Sequence, residues 1–126
     1  MAKLPPSYII ELKDLLIPLG EVIIKAMFGG YGVYVNGLFI GIAYEEQLYL
    51  KVDDETRPTF EARGLAPFIV QQRGRMIAMD YHLVPDEALT SFIKMKPWAT
   101  LAIQAALRAL NVSPPKKKAP ASRKKT

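Results

Sequence analysis

The chain has 126 residues, 50% of them hydrophobic, with one histidine and no cysteine; that suits one domain with a genuine core and excludes disulfides and thiolate-held metals. The net charge of +5 sits at the end of the chain, because Lys116, Lys117, Lys118, Arg123, Lys124 and Lys125 fall within residues 113–126 with no acid beside them. Residues 1–112 are left with eleven basic and twelve acidic side chains, so the domain predicted there is close to neutral.

The tail, "SPPKKKAPASRKKT", has no aromatic or branched apolar residue to offset the entropy of ordering, and disorder is expected over 113–126. No apolar run approaches the ~18 residues of a spanning helix. Glu11, Lys13 and Asp14 interrupt the stretch where a signal peptide would be apolar. A cytoplasmic protein without membrane contact is the expectation.

In chain order, "SYIIELKDLLIPL" (7–19) predicts a helix, with Ser7 as N-cap, Ile9, Leu12, Leu16 and Leu19 at helical spacing, and Pro18 and Gly20 ending it. "EVIIKAMF" (21–28) reads as a strand. From Val33 the period becomes two, and Asn36-Gly37 is a strong hairpin signal. "LFIGIAY" (38–44) and "QLYLKV" (47–52) follow across Glu45-Glu46, with Leu48, Leu50 and Val52 on one face and Tyr49 and Lys51 on the other. Residues 53–64 predict a short helix, with Pro58 in its first turn and Gly64 closing it. "PFIVQQ" and "RMIAMDYHLV" form a second hairpin across Arg73-Gly74, which Pro85 breaks, and "DEALTSFIKM" is expected to form one loose turn or more.

The last helix is predicted over roughly Pro97 to Leu110, with Pro97 at its first position. Its polar residues Thr100, Gln104 and Arg108 form one narrow stripe, and apolar residues cover most of the remaining surface. Such a helix is either clamped deep in the fold or packed on a second subunit, which makes Trp98, Leu101, Ile103 and Leu107 candidate dimer contacts. The element order, a run of hairpins with helices interspersed, predicts an α+β fold of two layers: an antiparallel sheet of about five strands with helices on one face, arranged as helix, three or four strands, helix, two strands, helix.

The glycine cluster of "MFGGYGVYVNGLFIG" (27–41) raises the question of a nucleotide site. A dinucleotide fingerprint needs a helix directly after the glycines, and a Walker loop needs Gly-Lys-Ser/Thr; a hairpin follows here and the triplet is absent. The glycines are read instead as a sharp turn or bulge between strands, with Phe28 and Tyr31 packing around it.

Met27-Phe28-Gly29-Gly30-Tyr31-Gly32, then Leu48 to Asp54, Thr56-Arg57-Pro58-Thr59-Phe60, Met79-Asp80-Tyr81, Val84-Pro85 and Pro97-Trp98-Ala99 run in order across residues 7–110. In these pieces the chain resembles the N-terminal domain of the TfoX/Sxy family, which is associated with regulation of natural competence in bacteria. The resemblance implies a five-stranded, secretion-chaperone-like α+β domain, and marks Lys51, Asp53, Arg57, Pro58 and Trp98, with the glycine segment, as motif residues. Two-domain regulators of this type carry a further helical domain; here the matching stretch is followed by the basic tail.

No catalytic constellation emerges. His82 alone cannot make a zinc site. Asp53, Asp54 and Glu55 are the densest acidic cluster, and capping of the helix that follows explains them better than acid–base work or Mg²⁺ binding. Arg57, Arg73 and Arg75 are read as solvated or structural. No enzyme activity and no cofactor are expected. The leading reading is a small regulatory or interaction module that binds a protein partner or itself. The alternative is non-specific nucleic-acid binding through the six tail cations together with one face of the domain.

Overall fold

The computed structural model describes residues 6–27 and 29–112. Helix α1 (Pro6–Leu16) runs into a 3₁₀ turn (Ile17–Leu19), and then four strands follow: β1 (Val22–Met27), β2 (Gly30–Val35), β3 (Leu38–Tyr44) and β4 (Gln47–Lys51). The short α2 (Arg57–Ala62), β5 (Pro67–Gln72), β6 (Arg75–Leu83), a second 3₁₀ turn (Asp86–Leu89) and α3 (Phe92–Val112) complete the fold. All strand pairs are antiparallel, in the order β1-β2-β3-β4-β6-β5. The α+β architecture is as expected, and its six strands take the upper count that the element order allows.

Turn chemistry sets the hairpins. Asn36 and Gly37 have φ of 51° and 81°, and Arg73 and Gly74 have 51° and 77°, the paired positive values of a tight primed turn. Glu45 and Glu46 adopt 51° and 65°, although neither is a residue that tolerates this region well. The strands they join bring Leu48, Leu50, Val33 and Val35 to one face, all at most 1% exposed. On that face lie Leu12 and Leu16 of α1 and Met95, Ala99 and Ala102 of α3, which makes the two-layer core. The alanines let α3 lie close on β3 and β4.

The last helix begins earlier than its sequence suggests. Ser91 caps it, its Oγ accepting from the amide of Lys94 at 3.3 Å and its carbonyl from that of Met95 at 3.0 Å. Pro97 therefore lies inside α3, not at its first position. The carbonyl it leaves without a helical donor belongs to Ile93, which is 83% exposed and open to water. At the other end of the chain α1 starts at Pro6, so Ser7 lies within the helix.

The glycine cluster is a corner, as read. Gly29 has φ of 83° between β1 and β2, and a Cβ on Gly30 would lie 2.5 Å from the carbonyl oxygen of Ala43 on β3. The bulge is elsewhere. Val33 pairs with Gly41 but Tyr34 pairs with Phe39, which leaves Ile40 as an extra residue on β3. Tyr31 packs against the core, whereas Phe28 lies outside the described residues.

Candidate functional site: the bare face of the sheet

The β3 bulge determines what the side of the sheet away from the helices carries. Strict alternation from the buried Ile40 would send Ile42 to the core and Ala43 outward. Instead Ala43 is 0% exposed in the core, and Ile42 and Tyr44 line a groove with Phe39 on the opposite face. A shift of one residue reverses every side chain beyond it, so β3 delivers Phe39, Ile42 and Tyr44 together.

Neighbouring strands extend this surface into two aromatic rows. Tyr34, Phe39 and Tyr81 form one, with ring centroids 5.1 and 5.8 Å apart; Tyr44, Phe68 and Tyr49 form the other, at 5.5 and 4.9 Å. These edge and tilted contacts are favourable geometries for rings. The groove has a volume of about 490 Å³, and rings from both rows line it beside Met27, Ile42 and Met79. Gly32 on β2 makes room for it, because a Cβ there would meet the Met27 methyl at 2.8 Å and the Phe39 ring at 2.9 Å. Cations border the first row: Lys25 stands 5.3 Å over the Tyr34 ring and Lys51 5.3 Å over that of Tyr81. Burial first, then the Asp80 charge, raises the Tyr81 hydroxyl's pKa; burial first, then Glu45, raises that of Tyr49. Both therefore stay protonated at neutral pH.

Asp80 is the single acid within the six strands, and it is engaged by Arg57 at 2.9 Å. The same guanidinium donates to Asp54 at 2.9 Å, so Arg57 is a brace between the β4–α2 connection and β6. Pro58 follows it in the first turn of α2.

The acidic cluster also resolves into structure. The Asp53 carboxylate accepts from the Thr56 amide at 3.1 Å while the Thr56 hydroxyl accepts from the Asp53 amide at 3.0 Å, a reciprocal cap on the turn entering α2. Arg108 of α3 then grips the same carboxylate, Nε at 2.6 Å and Nη2 at 3.0 Å. That grip, above all, holds the Asp53 carboxyl down to about 2 against the opposing effect of its burial. A charged cleft of about 560 Å³ surrounds the pair, lined by three cations, Lys51, Arg57 and Arg108, and four acids, Asp53, Asp54, Glu55 and Asp80. Among the described residues no group of three or more histidines and acids is placed to hold a metal.

His82 is buried, 4% exposed. Its Nδ1–H donates to the Leu65 carbonyl at 2.7 Å, and its ring lies 6.0 Å from that of Phe60. Trp98 stands edge-on to Phe60 at 4.9 Å under the Arg63 guanidinium, and at 9% exposure it belongs to the protomer's own core. The four positions considered for a dimer thus part company: Trp98 is taken, Leu101 and Ile103 pack against the core, and Leu107 alone is largely open, at 46%. Arg73 and Arg75 are exposed around the β5–β6 turn. Lys116, Lys117, Lys118, Arg123, Lys124 and Lys125 lie outside the described residues.

The fold is a two-layer α+β module, its sheet covered by helices on one side and faced with aromatic rings on the other. The chain is a member of the TfoX N-terminal domain family, whose profile matches residues 14–106. No curated protein matches it. Among the described residues no helix is long and apolar enough to cross a membrane.

Proposed function

We propose that this protein is a non-enzymatic, cytoplasmic regulatory module that acts by docking a partner on the bare face of its sheet, in the transcriptional control of DNA uptake. One observation carries the docking: among the described residues no element covers the two aromatic rows and the groove they line, and Ile69 and Met79 at the groove are 43% and 38% exposed. Contiguous apolar surface of this kind marks an interaction site. The non-enzymatic reading is supported by the employment of the reactive residue types, since His82 holds a loop carbonyl and Asp53 a helix cap and an arginine. The link to DNA uptake rests on family membership.

The test is made in the source organism, with the chromosomal copy replaced by Met79→Glu or Ile69→Glu, exchanges at open positions that leave the core untouched. Transcripts of DNA-uptake genes should fall to the level of a deletion strain at unchanged protein abundance. If deletion leaves those transcripts unaltered, the assignment to DNA uptake fails. If deletion lowers them but both variants behave as wild type, docking on the bare face fails.

A further inference from the structure

We propose that the occupant of the bare face is single-stranded nucleic acid, whose bases stack on the aromatic rows while Lys25 and Lys51 meet its phosphates. This rests on the reading that the face is a docking surface, and it names the partner.

Charge is the first ground. Of the ionisable side chains that touch the rings, two are ammonium groups, each placed over a ring. Two carboxylates bias the same rings: Glu45, in the β3–β4 turn near Tyr49, and Asp80, beside Tyr81, which Arg57 engages. Lys51 also borders the charged cleft, where Arg57 and Arg108 engage Asp54, Asp53 and Glu55. By sequence, residues 113–126 continue the chain from α3 with six more cations and no acid. A polyanion complements this arrangement, and an acidic surface of a folded protein would complement the cations alone.

The rings are the second ground. Tyr34–Lys25 and Tyr81–Lys51 each join an aromatic ring to a cation, and a nucleotide is likewise a flat base joined to an anion. Stacking on Tyr and Phe with backbone contacts from Lys is how antiparallel sheets take single strands, because every base has a π-face to offer while a duplex keeps its bases hidden. The groove's volume of about 490 Å³ lies within the range of sites that admit small aromatic ligands. Its methionines, Met27 and Met79, supply adaptable contacts that read no particular base.

The experiment uses the full chain and a short fluorescein-labelled oligothymidylate, with anisotropy read at about 0.05 and 0.2 M salt. Phe68→Leu removes a ring while keeping apolar volume. It should weaken single-strand binding about tenfold and leave the salt slope unchanged. Lys25→Gln/Lys51→Gln should reduce the log–log salt slope by about 1.4, the share of two phosphates on a single strand. A matched duplex should show no sensitivity to Phe68→Leu. Thermal melting verifies that each variant is folded, and the lysine pair keeps the test alive if Phe68→Leu is not. Wild-type affinity and slope in the lysine variant would overturn the proposal, assigning any binding to the tail. Absence of single-strand binding at the lower salt would overturn it too. If Met79→Glu still abolishes regulation in cells in that case, the docking face stands and its occupant is a protein.

Discussion

Asp53→Asn is the sharpest test of how the charged cleft holds α3 to the sheet. Asparagine is as good a cap as aspartate, so the hydrogen bond from the Thr56 amide survives, while the charge facing Arg108 is lost together with the oxygen that accepts from its Nε. Arg108 and the Thr56 cap together depress the Asp53 carboxyl from 3.8 to about 2. Read without screening, a shift of that size equals about 2 kcal/mol. More than a quarter of the Asp53 side chain and a third of Arg108's meet solvent, at 28% and 33%. Screening therefore brings the expected loss to about 1 kcal/mol, or about half a molar in the urea midpoint. The sign of the pH dependence follows from the depressed carboxyl. Stabilisation is complete above the unfolded value of 3.8 and disappears as pH falls toward 2. Urea titrations of wild type and variant should thus differ at pH 7 and converge at the acid end, and Arg108→Met should erase the difference between them. An offset that persists undiminished through the acid range would refute the ion-pair account, and so would equal stability at neutral pH.

Three further variants probe the scaffold by thermal or urea unfolding. Glu45 and Glu46 both hold positive φ, 51° and 65°, so Glu45→Asn/Glu46→Gly should stabilise the chain by about 1 kcal/mol; a loss would mean that the carboxylates have partners that outweigh backbone strain. Gly30→Ala should cost about 2 kcal/mol or more, because its new methyl would stand 2.5 Å from a backbone oxygen that cannot swing away; a neutral result would show that β2 and β3 slide apart freely. The Tyr8 hydroxyl is buried with no partner among the described residues, and burial first, then Glu46, pushes it up to about 12 from 10.0. Tyr8→Phe should be neutral to about 1 kcal/mol stabilising at pH 7 and should remove the stability that wild type loses between pH 10 and 12, since the unfolded tyrosine ionises first.

Local chemistry made most of the scaffold readable. Asn36-Gly37 and Arg73-Gly74 announce their turns, and alternation in "QLYLKV" places Leu48 and Leu50 inward and Tyr49 and Lys51 outward, as the structure does. The start of α3 was obscured because Pro97 makes a persuasive first helical residue, while the Ser91 cap that actually opens the helix lies in a stretch of mixed pattern. The Arg108–Asp53 grip spans 55 residues of sequence and had no local sign. Tyr49 and Lys51 gave one strand's share of the bare face. Phe68 and Tyr81 join it through the pairing of β4 with β6 and of β6 with β5, which no short-range pattern encodes.

The bulge on β3 is the most telling of these hidden features, because the core alone does not require it. A sheet that is covered on one side ordinarily alternates between apolar residues inward and polar residues outward. The outward positions here carry Tyr34, Phe39, Ile42, Tyr44 and Tyr81, side chains whose burial the helices do not provide. Were Ile40 paired in regular alternation and not bulged, Ile42 and Tyr44 would turn toward α3, where Ala43 now sits at 0% exposure and lets the helix approach. The irregularity therefore serves both layers at once: a small residue under the helix, and large ones gathered opposite it. A fold needing nothing beyond its own stability could satisfy the first requirement with a regular strand and polar outward residues. Gathering the rings beside Lys25 and Lys51 supplies the surface on which the proposed docking rests.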